Sequence, residues 1–322
     1  MPEKVVTNRD LEGILDTSDE WIRARTGIVE RRFVAPGEAT SDLAAAAVRK
    51  LLAQRGIPPD QIDCIIVATV TPDMFFPSTA CVLQDKVGAG NAWGFDLSGA
   101  CAGFIYALAA ASQFVHSGAY RKVLVVGADV MSSIIDPKDR STYVLFGDGA
   151  GAVLLEPTGE GEEGIMDFLL RCDGSGGKYL HMPGGGSLCP ATADTVRKRQ
   201  HFVRQDGRAV FKAAVQGMAG ISADMLERHR IPAAAIALYV PHQANLRIVD
   251  AAAERLGLDS SRVVRSGERY ANTTAATIPI GLSEAWREGR LERGGLVLMA
   301  SFGAGFTLGS LLLRWQLESP AA

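Results

Sequence analysis

The sequence predicts a layered α/β fold built from two similar halves. Three observations predict it. Short apolar runs that read as buried strands alternate with stretches of helical periodicity. Each half then closes with two adjacent strand-like runs, which calls for a mixed sheet. The halves also echo each other, at a spacing of about 174 residues in three correspondences and about 156 in a fourth, between the motifs at Phe146 and Phe302, the mark of an ancient duplication.

Taken in order, residues 42–54 carry the first helical pattern, with Ser41 as the expected N-cap and Gly56 closing it. Helical periodicity recurs at 78–86, 102–115, 209–228, 243–256 and 275–288. Apolar runs at 64–70, 123–126, 150–155, 237–240, 297–300 and 307–313 read as buried strands. The run at 64–67 matches 238–240, the Cys101 helix matches the helix after Thr274, and 122–126 matches 296–300. Residues 1–160 form the expected first half and 161–322 the second. Between them, 157–200 reads as a long irregular surface loop, rich in Gly and Pro and including Gly184-Gly185-Gly186.

The 322 residues are 47% hydrophobic and 21% charged, enough for a large buried core. A formal charge of -3 implies no strong field for nucleic acid. Five cysteines, none in a CxxC pair, suggest neither a disulfide framework nor a zinc site, and point to a reducing cytoplasm. No signal-peptide pattern opens the chain. Residues 97–115 lack charge over nearly the length of a membrane span, but small and polar residues punctuate them, so a buried central helix is expected instead.

Cys101 lies in Gly99-Ala-Cys-Ala-Gly-Phe104, just before an apolar helix. The helix dipole and free N–H groups there favour thiolate, and small flanks admit a substrate. A buried structural cysteine is the competing reading; Cys64 and Cys81 read as core. His242 follows a buried strand that Pro241 ends, with a helix expected at once, at the strand edge where α/β proteins build sites. It is alternatively an ordinary helix-start histidine. Asn272 precedes a helix and is either a simple cap or, because its loop is the repeat of the Cys101 loop, a partner of Cys101 across the pseudo-twofold. Gly147-Asp-Gly-Ala-Gly151 and Phe302-Gly-Ala-Gly-Phe306 lead into strands, so both read as turns rather than phosphate loops. Arg197, Lys198, Arg199, Arg204 and Arg208 form a basic stretch, either solvated or a landing site for acidic partners.

Together with Trp21-Ile-Arg-Ala-Arg25-Thr-Gly-Ile28, Val240-Pro-His-Gln-Ala-Asn-Leu-Arg247 and Asn272-Thr-Thr-Ala-Ala, these motifs resemble β-ketoacyl-acyl-carrier-protein synthase III over nearly the whole chain. That family begins bacterial type II fatty-acid synthesis. The resemblance implies a thiolase-like fold with α-β-α-β-α layers, Cys101 carrying the acyl group, and His242 and Asn272 promoting decarboxylation of a malonyl thioester. It implies an oxyanion hole from the backbone N–H of Cys101 and of Ala304, where the family has glycine. Trp21, Arg25, Arg140, Gly207, Phe211, Asn245 and Arg247 would line a coenzyme A channel. Lys212 and Arg247 would meet the carrier protein, and Phe76 would enter the acyl pocket of a partner in a homodimer, favouring short starters. Acyl-coenzyme A and malonyl-carrier protein are the implied substrates, with no metal or redox cofactor.

Three departures from the family stand out. Ala271 replaces a glycine before Asn272, Leu308 replaces a tryptophan, and Met1-Pro-Glu-Lys begins where the family has completed its first strand. Either the start is assigned late or the first sheet is one strand short. A degradative thiolase would need a second cysteine in 301–309, which has none. A papain-like hydrolase lacks its motif here, and an inactive carrier-binding scaffold would not need an intact Cys, His and Asn. A condensing enzyme of specialised metabolism shares the same residues.

Overall fold

The computed structural model describes residues 1–318. A small N-terminal unit comes first. In it β1 (Lys4–Thr7), α1 (Asn8–Glu12), α2 (Asp19–Thr26) and β2 (Glu30–Phe33) form an antiparallel two-stranded ladder with two helices. The first half follows as α3 (Thr40–Arg55), β3 (Cys64–Ala68), α4 (Thr79–Val87), β4 (Trp93–Leu97), α5 (Gly103–His116), β5 (Val123–Asp129), α6 (Arg140–Tyr143) and β6 (Gly149–Leu155). The second comprises β7 (Ile165–Cys172), β8 (Leu180–His181), α7 (Ala193–Arg197), β9 (Arg204–Gln205), α8 (Gly207–His229), β10 (Ile236–Pro241), α9 (Leu246–Leu256), α10 (Gly267–Tyr270), α11 (Thr277–Arg287), β11 (Leu296–Gly303) and β12 (Thr307–Arg314).

The two main sheets run β4-β3-β5-β6 and β10-β11-β12-β7. In each, a parallel pair (β3 with β5, β10 with β11) is closed by an antiparallel neighbour (β6, β12). Strand alternation sets the layers. Cys64, Ile66, Val123 and Val125 face the same core as Leu238, Val240, Val297 and Met299, with α5 and α11 between the sheets. Ile65, Val67, Leu124 and Val126 face outward onto α3 and α4, and Tyr239 and Leu298 onto α8 and α9. The result is the expected α-β-α-β-α stack. In the second sheet β7 covers the outer edge of β12; among the described residues β6, the counterpart of β12, has no strand on its outer edge.

Several local expectations shift. Helix α3, the one expected over 42–54, starts at Thr40, and Asp42 reaches back to accept from the Ala39 N–H, so Ser41 is inside the helix rather than its cap. The segment 157–200 is not simply a loop, because it contains β7. No helix starts at His242: the imidazole lies between β10 and an N-cap at Asn245. Cys81 is exposed on α4, not core.

Candidate active site

Three elements converge at the inner ends of the two sheets. Cys101 is in a 3₁₀ turn, Ala100–Ala102, immediately ahead of α5. Ala100 takes a left-handed φ of 47° to make that turn. The end of β11 braces it: Ser301 Oγ donates to the Cys101 carbonyl at 2.7 Å. Gly303 comes so close that a Cβ there would lie 2.7 Å from the Cys101 nitrogen. The same strand holds His242, whose backbone N–H donates to the Ala300 carbonyl at 2.8 Å. Gln243 secures the turn by donating to the Pro241 and Val264 carbonyls, both at 2.9 Å. Ala304 is not among the positive-φ residues, so alanine meets no backbone penalty there.

Asn272 is fixed by the opposite half. Its N–H donates to the Leu145 carbonyl at 2.9 Å, and its carbonyl accepts from the Gly147 N–H at 3.0 Å. Gly147 is required for this approach, since a Cβ would lie 2.5 Å from the Tyr270 carbonyl oxygen. The Gly-Asp-Gly-Ala-Gly motif is thus a close-packing device, with Asp148 buried and accepting from Val34 and Ser132. The side chain of Asn272 is no helix cap: its Oδ1 accepts from the Thr274 N–H two residues on, at 2.9 Å. That leaves Nδ2 as the available end of the amide. Ala271 keeps the conformation a glycine would take, φ 56° and ψ -154°.

The electrostatics correct one expectation. Burial, with a contribution from Asp129, pushes the Cys101 thiol up to about 12. The turn places Cys101 ahead of α5 in a 7% exposed setting, and desolvation outweighs the helix end. Burial lowers His242 to about 3, and neither ring nitrogen has a partner. Cysteine and histidine are therefore both neutral at rest. Burial also pushes Asp129 upward, against the hydrogen bonds it accepts.

The remaining predicted positions form an outer rim. Trp21 is flanked by Arg25 at 4.9 Å and Arg140 at 4.6 Å from its ring centre, and Arg247 lies over Phe211 at 5.4 Å. Asn245 is occupied structurally: it accepts from the Arg247 N–H and donates to the Arg25 carbonyl. Gly207 and Lys212 open α8. Phe76 is 85% exposed beside Phe75 at 82%. Of the basic stretch, Arg197 and Lys198 pair with Asp194, and Arg199 with Asp136. Among the described residues no group of His, Cys, Asp or Glu could hold a metal ion, and no helix is long and apolar enough to cross a membrane.

Residues the sequence did not single out include Ser301, Gln243 and Asp129. All three are polar residues at or beside the ends of apolar strands, and each is spent on backbone groups of the site.

Residues 95–174 match the family described as 3-oxoacyl-acyl-carrier-protein synthase III, and 226–315 match its C-terminal part. The chain is 53% identical over 316 residues to the β-ketoacyl-acyl-carrier-protein synthase III of Solibacter usitatus, covering 98% of this chain and 96% of that protein. It is 51% identical over 316 residues to that of Koribacter versatilis, covering 98% and 95%. The crystal structure of 3-oxoacyl-acyl-carrier-protein synthase III from Aquifex aeolicus superposes with a TM-score of 0.91 at 42% identity, covering 98% of this chain and 97% of that one.

Proposed function

The chain belongs to the β-ketoacyl-acyl-carrier-protein synthase III family, and from that premise we propose how its own residues carry the reaction. It is an acyltransferase of fatty-acid synthesis, performing the decarboxylative Claisen condensation of an acyl-coenzyme A starter with malonyl-carrier protein. The observation that carries the residue assignment is the shared strut: the end of β11 supports both Cys101 and His242, while the turn that follows Asn272 packs against the Cys101 turn from the other side.

The thiol of Cys101 attacks the starter's thioester carbonyl as its proton passes to His242, the buried base beside it. The tetrahedral oxyanion is held by the Cys101 and Ala304 N–H groups. Coenzyme A leaves with that proton, which returns His242 to its neutral form. Malonyl-carrier protein follows. Loss of its carboxylate as carbon dioxide leaves an enolate, stabilised by hydrogen bonds from neutral His242 and from Asn272 Nδ2. The carbanion attacks the acyl-cysteine, and the thiolate expelled takes up a proton. This chemistry asks for no metal or redox group.

Trp21, Arg25 and Arg140 form an aromatic face between two guanidinium groups, suited to an adenine nucleotide; Phe211, Gly207, Asn245 and Arg247 extend that channel. Lys212 and Arg247 offer cations to an acidic carrier. The units of the duplication are 1–160 and 161–322. Exposed Met74, Phe75 and Phe76 support a homodimer, in which Phe76 closes the partner's acyl pocket and favours short starters. The setting is the cytoplasm, with substrates delivered in solution.

Intact-mass measurement after mixing with acetyl-coenzyme A tests the assignment. One acetyl group is expected on the natural protein, on Cys64→Ser and on Cys81→Ser, and none on Cys101→Ser. Acetylation of Cys101→Ser would remove Cys101 from the reaction.

A further inference from the structure

Asp129 ends β5 inside the molecule, fully buried. Its two oxygens divide their partners between the halves. Oδ1 accepts from the first half: from the Val70 N–H at 2.8 Å, the Thr71 N–H at 3.3 Å, and the Thr69 and Thr71 hydroxyls at 3.1 Å. Oδ2 accepts from the second: from the Thr274 hydroxyl, in a short bond, and from the Ala275 N–H at 3.2 Å. Thr274 is held at φ 49°, a region a β-branched residue avoids unless its surroundings fix it. The N–H of this same residue orients Asn272 by donating to Oδ1.

The duplication explains why a carboxylate is there. With α5 beginning at Gly103 and α11 at Thr277, the halves superpose at an offset of about 174 residues. Ala100 then corresponds to Thr274, Cys101 to Ala275, and Asp129 to Gly303. The contacts obey this relation. Ser301 touches the Cys101 carbonyl, and its counterpart Gly127 meets the Ala275 carbonyl, 2.2 Å from where a Cβ would stand. Opposite the Cys101 N–H, Gly303 has no side chain, and a Cβ there would lie 2.7 Å from that nitrogen. Opposite the Ala275 N–H, Asp129 fills the equivalent space with its own oxygen.

We infer that Asp129, acting through Thr274, is a positioning residue for Asn272: it occupies the duplicated half's counterpart of the oxyanion hole and thereby locks the turn that keeps Asn272 Nδ2 facing the substrate. The inference rests on Asn272 being the enolate donor. Without the lock the amide can rotate, presenting Oδ1, an acceptor that repels an enolate oxygen. Acylation of Cys101 does not use Asn272, so only the second half-reaction should suffer.

The test measures two rates in the full-length protein: acetyl transfer to Cys101 by intact mass, and carbon dioxide release from malonyl-carrier protein by the acetylated enzyme. Thr274→Val keeps the shape and removes the hydroxyl; Thr274→Ser keeps the hydroxyl. Asp129→Asn keeps the carboxylate's shape but replaces an acceptor oxygen with a donor. Thr274→Val and Asp129→Asn should lose decarboxylation by roughly 10²-fold, the scale of losing one oriented donor. Acetyl transfer by Thr274→Val should stay within about threefold of the natural rate, and Thr274→Ser should recover decarboxylation; Asp129→Asn, which also removes a group that acts on the Cys101 thiol, is read by decarboxylation alone. If Asp129→Asn does not fold, the threonine pair carries the test alone. Equal loss of both rates in Thr274→Val, or decarboxylation at the natural rate, overturns the positioning role. Asn272→Ala separates the two claims: if that variant decarboxylates normally, the reading of Asn272 fails; if it is inactive while Thr274→Val is not, only the role of Asp129 and Thr274 fails.

Discussion

Gly303→Ala adds a single methyl group to the protein at the point where the two halves meet closest to Cys101. Its Cβ would lie 2.7 Å from the Cys101 nitrogen, 2.8 Å from Thr307 Oγ1 and 3.1 Å from the Ala102 nitrogen. Two of these neighbours are backbone, and Thr307 Oγ1 is itself bound to the Gly99 carbonyl at 2.9 Å. None is the free end of a flexible chain, so the Cys101 turn must move. Overpacking of this kind costs about 1–3 kcal/mol of stability. A turn displaced by several tenths of an ångström no longer aims its N–H at the substrate oxygen. Losing one such donor slows the chemical step by about 10²–10³. The expected outcome is an acetylation rate down by about 10² in rapid-quench mass spectrometry, with a Tm lower by several degrees. Gly220→Ala is the control. That position on α8 has nothing within 4 Å of an added Cβ, and in a helix interior alanine should stabilise by about 0.5–1 kcal/mol and leave the rate alone. Acetylation of Gly303→Ala within threefold of the natural protein would refute the argument that this gap serves the oxyanion.

Further outcomes follow from the same structure. The depressed pKa of His242, about 3 against an ordinary 6.5, means that the unfolded chain binds a proton that the folded one refuses. Its stabilising contribution is complete above pH 6.5 and is lost as pH falls toward 3, by up to about 1.4 kcal/mol per pH unit. Urea unfolding at pH 7 and pH 4.5 should show a larger loss for the natural protein than for His242→Gln, and equal losses would contradict a buried neutral imidazole. Phe76→Thr should shift starter preference from acetyl toward longer chains, each methylene against the ring costing about 0.8 kcal/mol of burial; octanoyl-coenzyme A as the best substrate of the natural protein would show that Phe76 is not the gate. Light scattering at micromolar concentration should give a dimer, and Phe75→Asp should weaken it; a fully active monomer would contradict the interface.

The sequence made the central layers legible because their strands are unbroken apolar runs and their helices keep one period. It hid the strands that carry charges for other elements. In β7, Asp167 pairs with Arg228 and His229, and Arg171 with Asp224, all three pairs reaching α8. These charges break the alternation that would announce a strand, so Ile165–Cys172 reads as loop. In β4, Asp96 accepts from the Thr79 and Ala80 N–H groups at the start of α4, with the same masking effect. Cys101 shows the opposite failure. Its place before a helix is visible in the sequence and argues for thiolate, but the surrounding halves bury it, and burial depends on contacts that no local pattern contains.

The neutral resting pair has a consequence for how the site works. A permanent thiolate-imidazolium pair would lose its solvation in this buried place, and the structure supplies no third group to the imidazole in compensation. Neutral partners avoid that cost, and they suit both half-reactions. The proton that His242 takes from the cysteine passes on to departing coenzyme A, and the imidazole is then a neutral donor when the enolate forms. A protonated imidazole would instead hold the malonyl carboxylate by charge and oppose its loss. The buried carboxyl of the region, Asp129, has its oxygens occupied by six donors. The duplication thus leaves the position beside the Cys101 N–H without a side chain at Gly303 and fills its counterpart beside the Ala275 N–H with Asp129, whose oxygens tie down the turn that holds Asn272.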